Sequence, residues 1–162
     1  MKQHVLIPLL LLSLGHAGQA ATIPIISLDP HSSVIKPGQN YYLDVNVSGL
    51  QSGGTNALLG AFTMDVHFDP NLLQFLPISS SFGSALGDIG LGEALVGGSL
   101  TSPGIFNFFE VSLLEDSLGN CIFCIGPYLA DLQSDSFNLA TLAFYSPSDA
   151  IISEPTTTFS TT

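Results

Sequence analysis

Positive charge is scarce in this chain. Its 162 residues hold two lysines, Lys2 and Lys36, and no arginine, against thirteen acidic residues that all follow position 20. Without the first twenty residues the chain would carry twelve net negative charges. Such a surface repels phosphate backbones and has almost nothing with which to release their counterions, which excludes nucleic acid and argues against anionic lipid. The acidity fits an extracytoplasmic protein with some affinity for divalent cations. Tryptophan is absent, so Tyr41, Tyr42, Tyr128 and Tyr145 are the amphipathic aromatics left to stack on a sugar, although tyrosines on strands more often pack or line a rim. Long apolar runs are absent too. Val5 to Leu14 is only about half of what a membrane-spanning helix needs. With the short basic start before it and Gly18-Gln19-Ala20 after it, residues 1–20 read as a secretory signal peptide.

Catalytic motifs are equally scarce. Two histidines remain after residue 20, His31 and His67, and neither stands in a hydrolase pattern. Gly97-Gly98-Ser99-Leu100-Thr101 lacks the closing glycine of a nucleophile elbow. Gly90-Leu91-Gly92 lacks the third glycine and the strand–helix setting of a phosphate loop. A carboxylate pair for glycoside hydrolysis assembles in space and leaves no spacing to read. The acids are scattered and the chain is short, so a small glycoside hydrolase is the weaker alternative and the chain reads as a non-enzyme.

The informative stretch is Gly60 to Phe75. Phe62, Met64, Val66 and Phe68 alternate with Ala61, Thr63, Asp65 and His67, which predicts a half-buried antiparallel strand because successive strand side chains point to opposite faces. Asp69-Pro70 ends it with a turn. Tyr41 to Ser48 repeats the pattern, with Leu43, Val45 and Val47 inward and Tyr42, Asp44, Asn46 and Ser48 outward. Thr22 to Leu28 reads as a first edge strand ended by Asp29-Pro30. Ser79 to Gly98 reads as short extended pieces broken by glycine. Ile105 to Leu114 is a strand of open register, because Phe106, Phe108 and Phe109 occupy both faces. Pro127 is expected to start a short helix through Gln133. Phe137 to Tyr145 is the last clear strand, with Ala140, Leu142 and Phe144 on one face. Short alternating strands between glycine and proline turns predict an all-β sandwich over residues 21–147. Residues 148–162 read as a Ser/Thr-rich tail, seven of the last ten residues being serine or threonine.

Several blocks in order carry a resemblance: Pro37-Gly38-Gln39, then Tyr42 to Leu50, Leu59 to Phe62, Phe68 to Leu73, Glu110 to Leu114 and Ser136 to Phe144. Over roughly residues 22 to 146 the chain resembles the cohesin-like, carbohydrate-binding-domain-like β-sandwiches, in the version found in bacterial secreted proteins with a PEP-CTERM sorting tail. The resemblance implies a jelly-roll-like antiparallel sandwich of eight or nine strands, located outside the cytoplasm of a bacterium. It implies a module that works by binding, on a protein partner or an extracellular polysaccharide. The sorting tail itself is matched only at Glu154-Pro155, which raises a truncated end as an expectation. If a last strand were missing, an open sheet edge would make a structural or matrix component the first alternative.

Three candidate sites follow from the residues. Cys121 and Cys124 are most simply a local disulfide in a secreted chain; free thiols and a redox or metal role are the alternatives, and zinc would need two further ligands. Asp44, Asp65 and Asp69 form a candidate calcium set if their strands are neighbours, the alternative being the ordinary solvated face of an acidic protein. Tyr42, Asp44 and Asn46 from one strand, with Thr63, Asp65 and His67 from the other, form the candidate binding face.

Overall fold

The computed structural model describes residues 23–51, 57–117 and 126–148, together with the backbone of Ser160 and Thr161. The expected leader and the cysteine pair Cys121/Cys124 lie outside the described residues, as does most of the tail. Two antiparallel sheets face each other. The first contains β1 (Ile25–Pro30), β2 (Asn40–Ser48) and β8 (Phe137–Tyr145). The far side of β8 is shared by two short pieces, β4 (Gln74–Phe75) and β5 (Ser81–Phe82). The second sheet runs β6 (Ala94–Ser102), β7 (Ile105–Ser112), β3 (Ala61–His67), β9 (Ser160–Thr161). This is the expected all-β, jelly-roll-like sandwich, with nine strands among the described residues.

The alternating residues fill the space between the sheets. Leu43, Val45 and Val47 come from β2 and Ala140, Leu142 and Phe144 from β8, and they meet Met64, Val66, Phe106 and Phe108 of the second sheet. Aromatic rings tie the layers together: Phe75 stacks on Phe106 at 3.9 Å, and Phe68 meets Phe144 edge-on at 5.1 Å. In β8, Leu139 is an extra residue opposite β2, because Val45 pairs with Ala140 while Asn46 pairs with Asn138. Such a bulge lets the consecutive Leu139 and Ala140 both be buried.

Three local expectations change. The first strand runs on through Asp29 to Pro30, which an edge position tolerates at a strand end. The helix is a single turn, Leu129–Leu132, with Pro127 outside it. Gly97 and Gly98 do not break the chain but sit mid-strand in the nine-residue β6. Their missing side chains make room for rings of β7: a Cβ on Gly97 would lie 2.5 Å from the Phe109 ring, and one on Gly98 would lie 2.6 Å from the Phe106 ring.

Candidate functional site

Register on the second sheet lays out its outer face in rows. Leu95, Val111 and Ala61 form one row across β6, β7 and β3, followed by Gly97, Phe109 and Thr63, then Ser99, Asn107 and Asp65. The first two rows are apolar apart from one threonine and contain no charge. Leu95 is 56% exposed, Phe109 39% and Val111 36%. The Phe109 ring lies across Gly97, which fixes its position while leaving its other face to solvent. Phe109 and Val111 line a shallow, open depression with Ala61, Phe62 and Thr63. The third row is polar and already organised, with Asn107 Nδ2 donating to Asp65 Oδ1 at 2.6 Å. His67 lies one row further along the same face, with Nε2 buried and without a hydrogen-bond partner among the described residues.

Directly beneath the apolar rows stands a group that sequence reasoning missed. Glu110 pairs with Phe62 and Val96, in phase with Phe106 and Phe108, and so points between the sheets. It is fully buried, and neither carboxylate oxygen has a hydrogen-bond partner among the described residues. Burial pushes its pKa from the ordinary 4.5 up to about 7, because the low-dielectric interior disfavours the charged form. The i, i+2, i+4 spacing from Phe106 was the signal for it. The competing phase through Phe109 and Val111 obscured that signal.

The outer face of the first sheet has a different character. Thr141 Oγ1 donates to Asp44 Oδ1 at 2.6 Å, and His31 Nε2 lies 2.9 Å from Asp44 Oδ2. Burial alone would raise the Asp44 pKa, but the hydrogen bonds from Thr141 and His31, with the His31 charge, hold it below its ordinary value. Asn46 Nδ2 donates to Asp29 Oδ2 at 2.7 Å and its Oδ1 accepts from Asn138 at 3.1 Å. Tyr42 is exposed, with its ring centroid 5.9 Å from that of His31, whereas Tyr41 is buried and its hydroxyl bonds the Lys36 backbone.

The candidate binding face therefore divides. Tyr42, Asp44 and Asn46 lie on the outside of the first sheet, and Thr63, Asp65 and His67 on the outside of the second, so the core separates the two trios. The calcium set divides for the same reason: β2 and β3 are not neighbours. Asp69 is engaged in the turn after β3, where its carboxylate accepts from the Asn71 backbone at 2.8 Å. No group of three or more acidic, histidine or cysteine side chains is placed to hold a metal among the described residues.

No protein-family model matches the chain, and no curated protein does. Its fold does match solved structures. A type II cohesin–X-dockerin complex from Acetivibrio cellulolyticus gives a TM-score of 0.57 at 16% identity, covering 76% of this chain and 71% of that one. A type II cohesin from Bacteroides cellulosolvens gives 0.55 at 13%, covering 75% and 68%. A type II cohesin domain from the Acetivibrio cellulolyticus cellulosome gives 0.54 at 17%, covering 78% and 70%. The chain has the cohesin-like β-sandwich fold.

Proposed function

We propose that this chain is a non-catalytic binding module that takes a protein partner on the outer face of β6, β7 and β3. The observation that carries the reading is the exposed Leu95–Phe109–Val111 patch, charge-free at its centre and rimmed by Ser99, Asn107 and Asp65. Aromatic anchors with few charges at the centre and polar groups at the rim are the anatomy of a protein–protein contact. The similar fold seen in a cohesin–X-dockerin complex supports a protein as the class of partner. The acidic composition and the leader-like residues 1–20 support action outside the cytoplasm.

Capture of partners from the secreted proteome, run beside a polysaccharide array, tests this. Phe109→Ser is expected to weaken capture by roughly 30-fold or more, the loss of one central aromatic anchor, with the circular dichroism spectrum unchanged. Capture unaffected by Phe109→Ser would overturn the assignment. Array binding lost in Tyr42→Ala would instead move the function to the first sheet and to a sugar. Concentration-dependent growth of the protein alone would favour the structural, edge-associating alternative.

A further inference from the structure

We propose that the free edge of β6 is a second docking element, accepting an extended segment of another protein whose one apolar side chain seats between the two sheets. Three observations support it. First, β6 ends its sheet, and among the described residues nothing pairs with its outer side. An unpaired edge is a template for another strand, and proteins usually blunt it with charge, proline or short length. The described edges of the first sheet follow that rule: β1 ends in Asp29-Pro30, and β4 and β5 are two residues each. β6 has nine residues, ALVGGSLTS, without a charge or a proline.

Second, a cavity of about 180 Å³ opens beside this edge, where β6 faces the broken edge made by β4 and β5. Phe75, Phe82, Phe106 and Leu142 line it, and Gly97 and Gly98 form its β6 side. A cavity of about 150 Å³ lined by such side chains accepts a benzene ring, so the space suits a leucine or a phenylalanine. A free edge beside a side-chain pocket is the arrangement of strand addition, in which main-chain hydrogen bonds supply affinity and the pocket supplies specificity. Leu100, 55% exposed, lines an adjoining depression that shares Phe75, Pro77, Gly98 and Phe106 with the cavity.

Third, charge selects the occupant. The cavity lining holds no charged residue, while the chain as a whole carries −11. A second copy is repelled, and a segment with basic residues flanking its anchor is attracted. The occupant is therefore an extended strand of a different protein, with a leucine or phenylalanine anchor between basic flanks.

The test titrates the isotope-labelled full chain with synthetic octapeptides. Each alternates threonine and valine, carries a lysine at both ends, and has leucine, phenylalanine or glutamate at one central position. The leucine and phenylalanine peptides are expected to shift the amides of Ala94 to Ser102 and slow their hydrogen exchange. The glutamate peptide should bind roughly ten-fold more weakly or worse, the cost of an unmatched group in an apolar pocket. Leu100→Lys, at a position 55% exposed, should weaken the leucine peptide by a similar factor with the circular dichroism spectrum unchanged, whereas Phe109→Ser should leave peptide binding unchanged. That last control separates this edge from the outer-face site. The proposal fails if no peptide moves the β6 amides at millimolar concentration, or if the glutamate peptide binds equally well. It also fails if the shifts fall on Phe109 and Val111, or if the protein alone self-associates and Leu100→Lys abolishes it, which would give the edge to a second copy.

Discussion

Asp44 of β2 and Glu110 of β7 are carboxylates on strands of opposite sheets, and they meet opposite surroundings. Asp44 faces outward, accepts from Thr141, pairs with His31 and is held in its charged form. Glu110 faces inward, finds no hydrogen-bond partner among the described residues, and is pushed toward its neutral form. The difference teaches how β7 chose its phase. One phase turns Glu110 and Ser112 inward, the other Asn107. The phase adopted puts Phe106 and Phe108 inside, where Phe75 stacks on the first and Phe62 meets the second edge-on at 5.6 Å. It also leaves Asn107 outside, bonded to Asp65. A carboxyl can be buried in its neutral form by keeping a proton, whereas a buried amide would leave two N–H donors and a carbonyl to satisfy.

The largest effect is expected from Glu110→Met, which fills the space without a polar group. Removing an unsatisfied buried group is expected to stabilise the fold by about 1–3 kcal/mol at pH 8. The gain should shrink at pH 4, where the wild-type carboxyl is neutral in the folded chain and mostly neutral in the unfolded one. Urea denaturation at the two pH values measures it, and equal gains at both would show that the charge of Glu110 does not matter.

The pH profile of the wild type follows from the same group. The folded pKa of Glu110 is raised, so its contribution is fully present below the ordinary 4.5 and is lost as pH climbs through about 7. Stability should therefore fall across that window in the wild type and stay flat in Glu110→Met. Asp44 works with the opposite sign. Its folded pKa is lowered, so its contribution is present above the ordinary 3.8 and is lost as pH drops through the folded value. Asp44→Asn should remove this acid limb alone.

Smaller effects belong to the partners of Asp44. Thr141→Val deletes a charge-assisted hydrogen bond and is expected to cost about 1.5 kcal/mol near neutral pH, read from the urea midpoint. The same variant should raise the Asp44 pKa, observable by carboxyl NMR. His31→Ala removes an exposed ion pair and should cost less than about 1 kcal/mol. High salt should erase most of that difference. A salt-independent loss would mean that His31 acts through its contact with the Tyr42 ring.

Much of the fold could be read from residues. Leu43, Val45, Val47, Met64, Val66 and Phe68 are buried as their alternation required, and Tyr42 and Thr63 are exposed. The candidate site was less legible. Placing Asp44 beside Asp65 assumed that two similar strands adjacent in the chain were neighbours in one sheet, yet they belong to different layers. Gly97-Gly98 looked like a break because the rings that occupy the vacated space, Phe109 and Phe106, belong to the next strand. Glu110 stayed hidden because its strand carries apolar residues in both phases.

Local residue order dictates where the strands run and which side of β2 and β3 is apolar. That information is local, since an extended backbone turns successive side chains to opposite faces whatever lies across from it. The tertiary structure alone decided which strands share a sheet, and hence that Asp44 belongs with Thr141, 97 residues away, and not with Asp65. It also decided the phase of β7, leaving Phe109 on the surface over Gly97 and Glu110 beneath it. Pairing is set by contacts between distant segments, and a period of two gives each strand two equally regular ways to lie until its neighbours favour one.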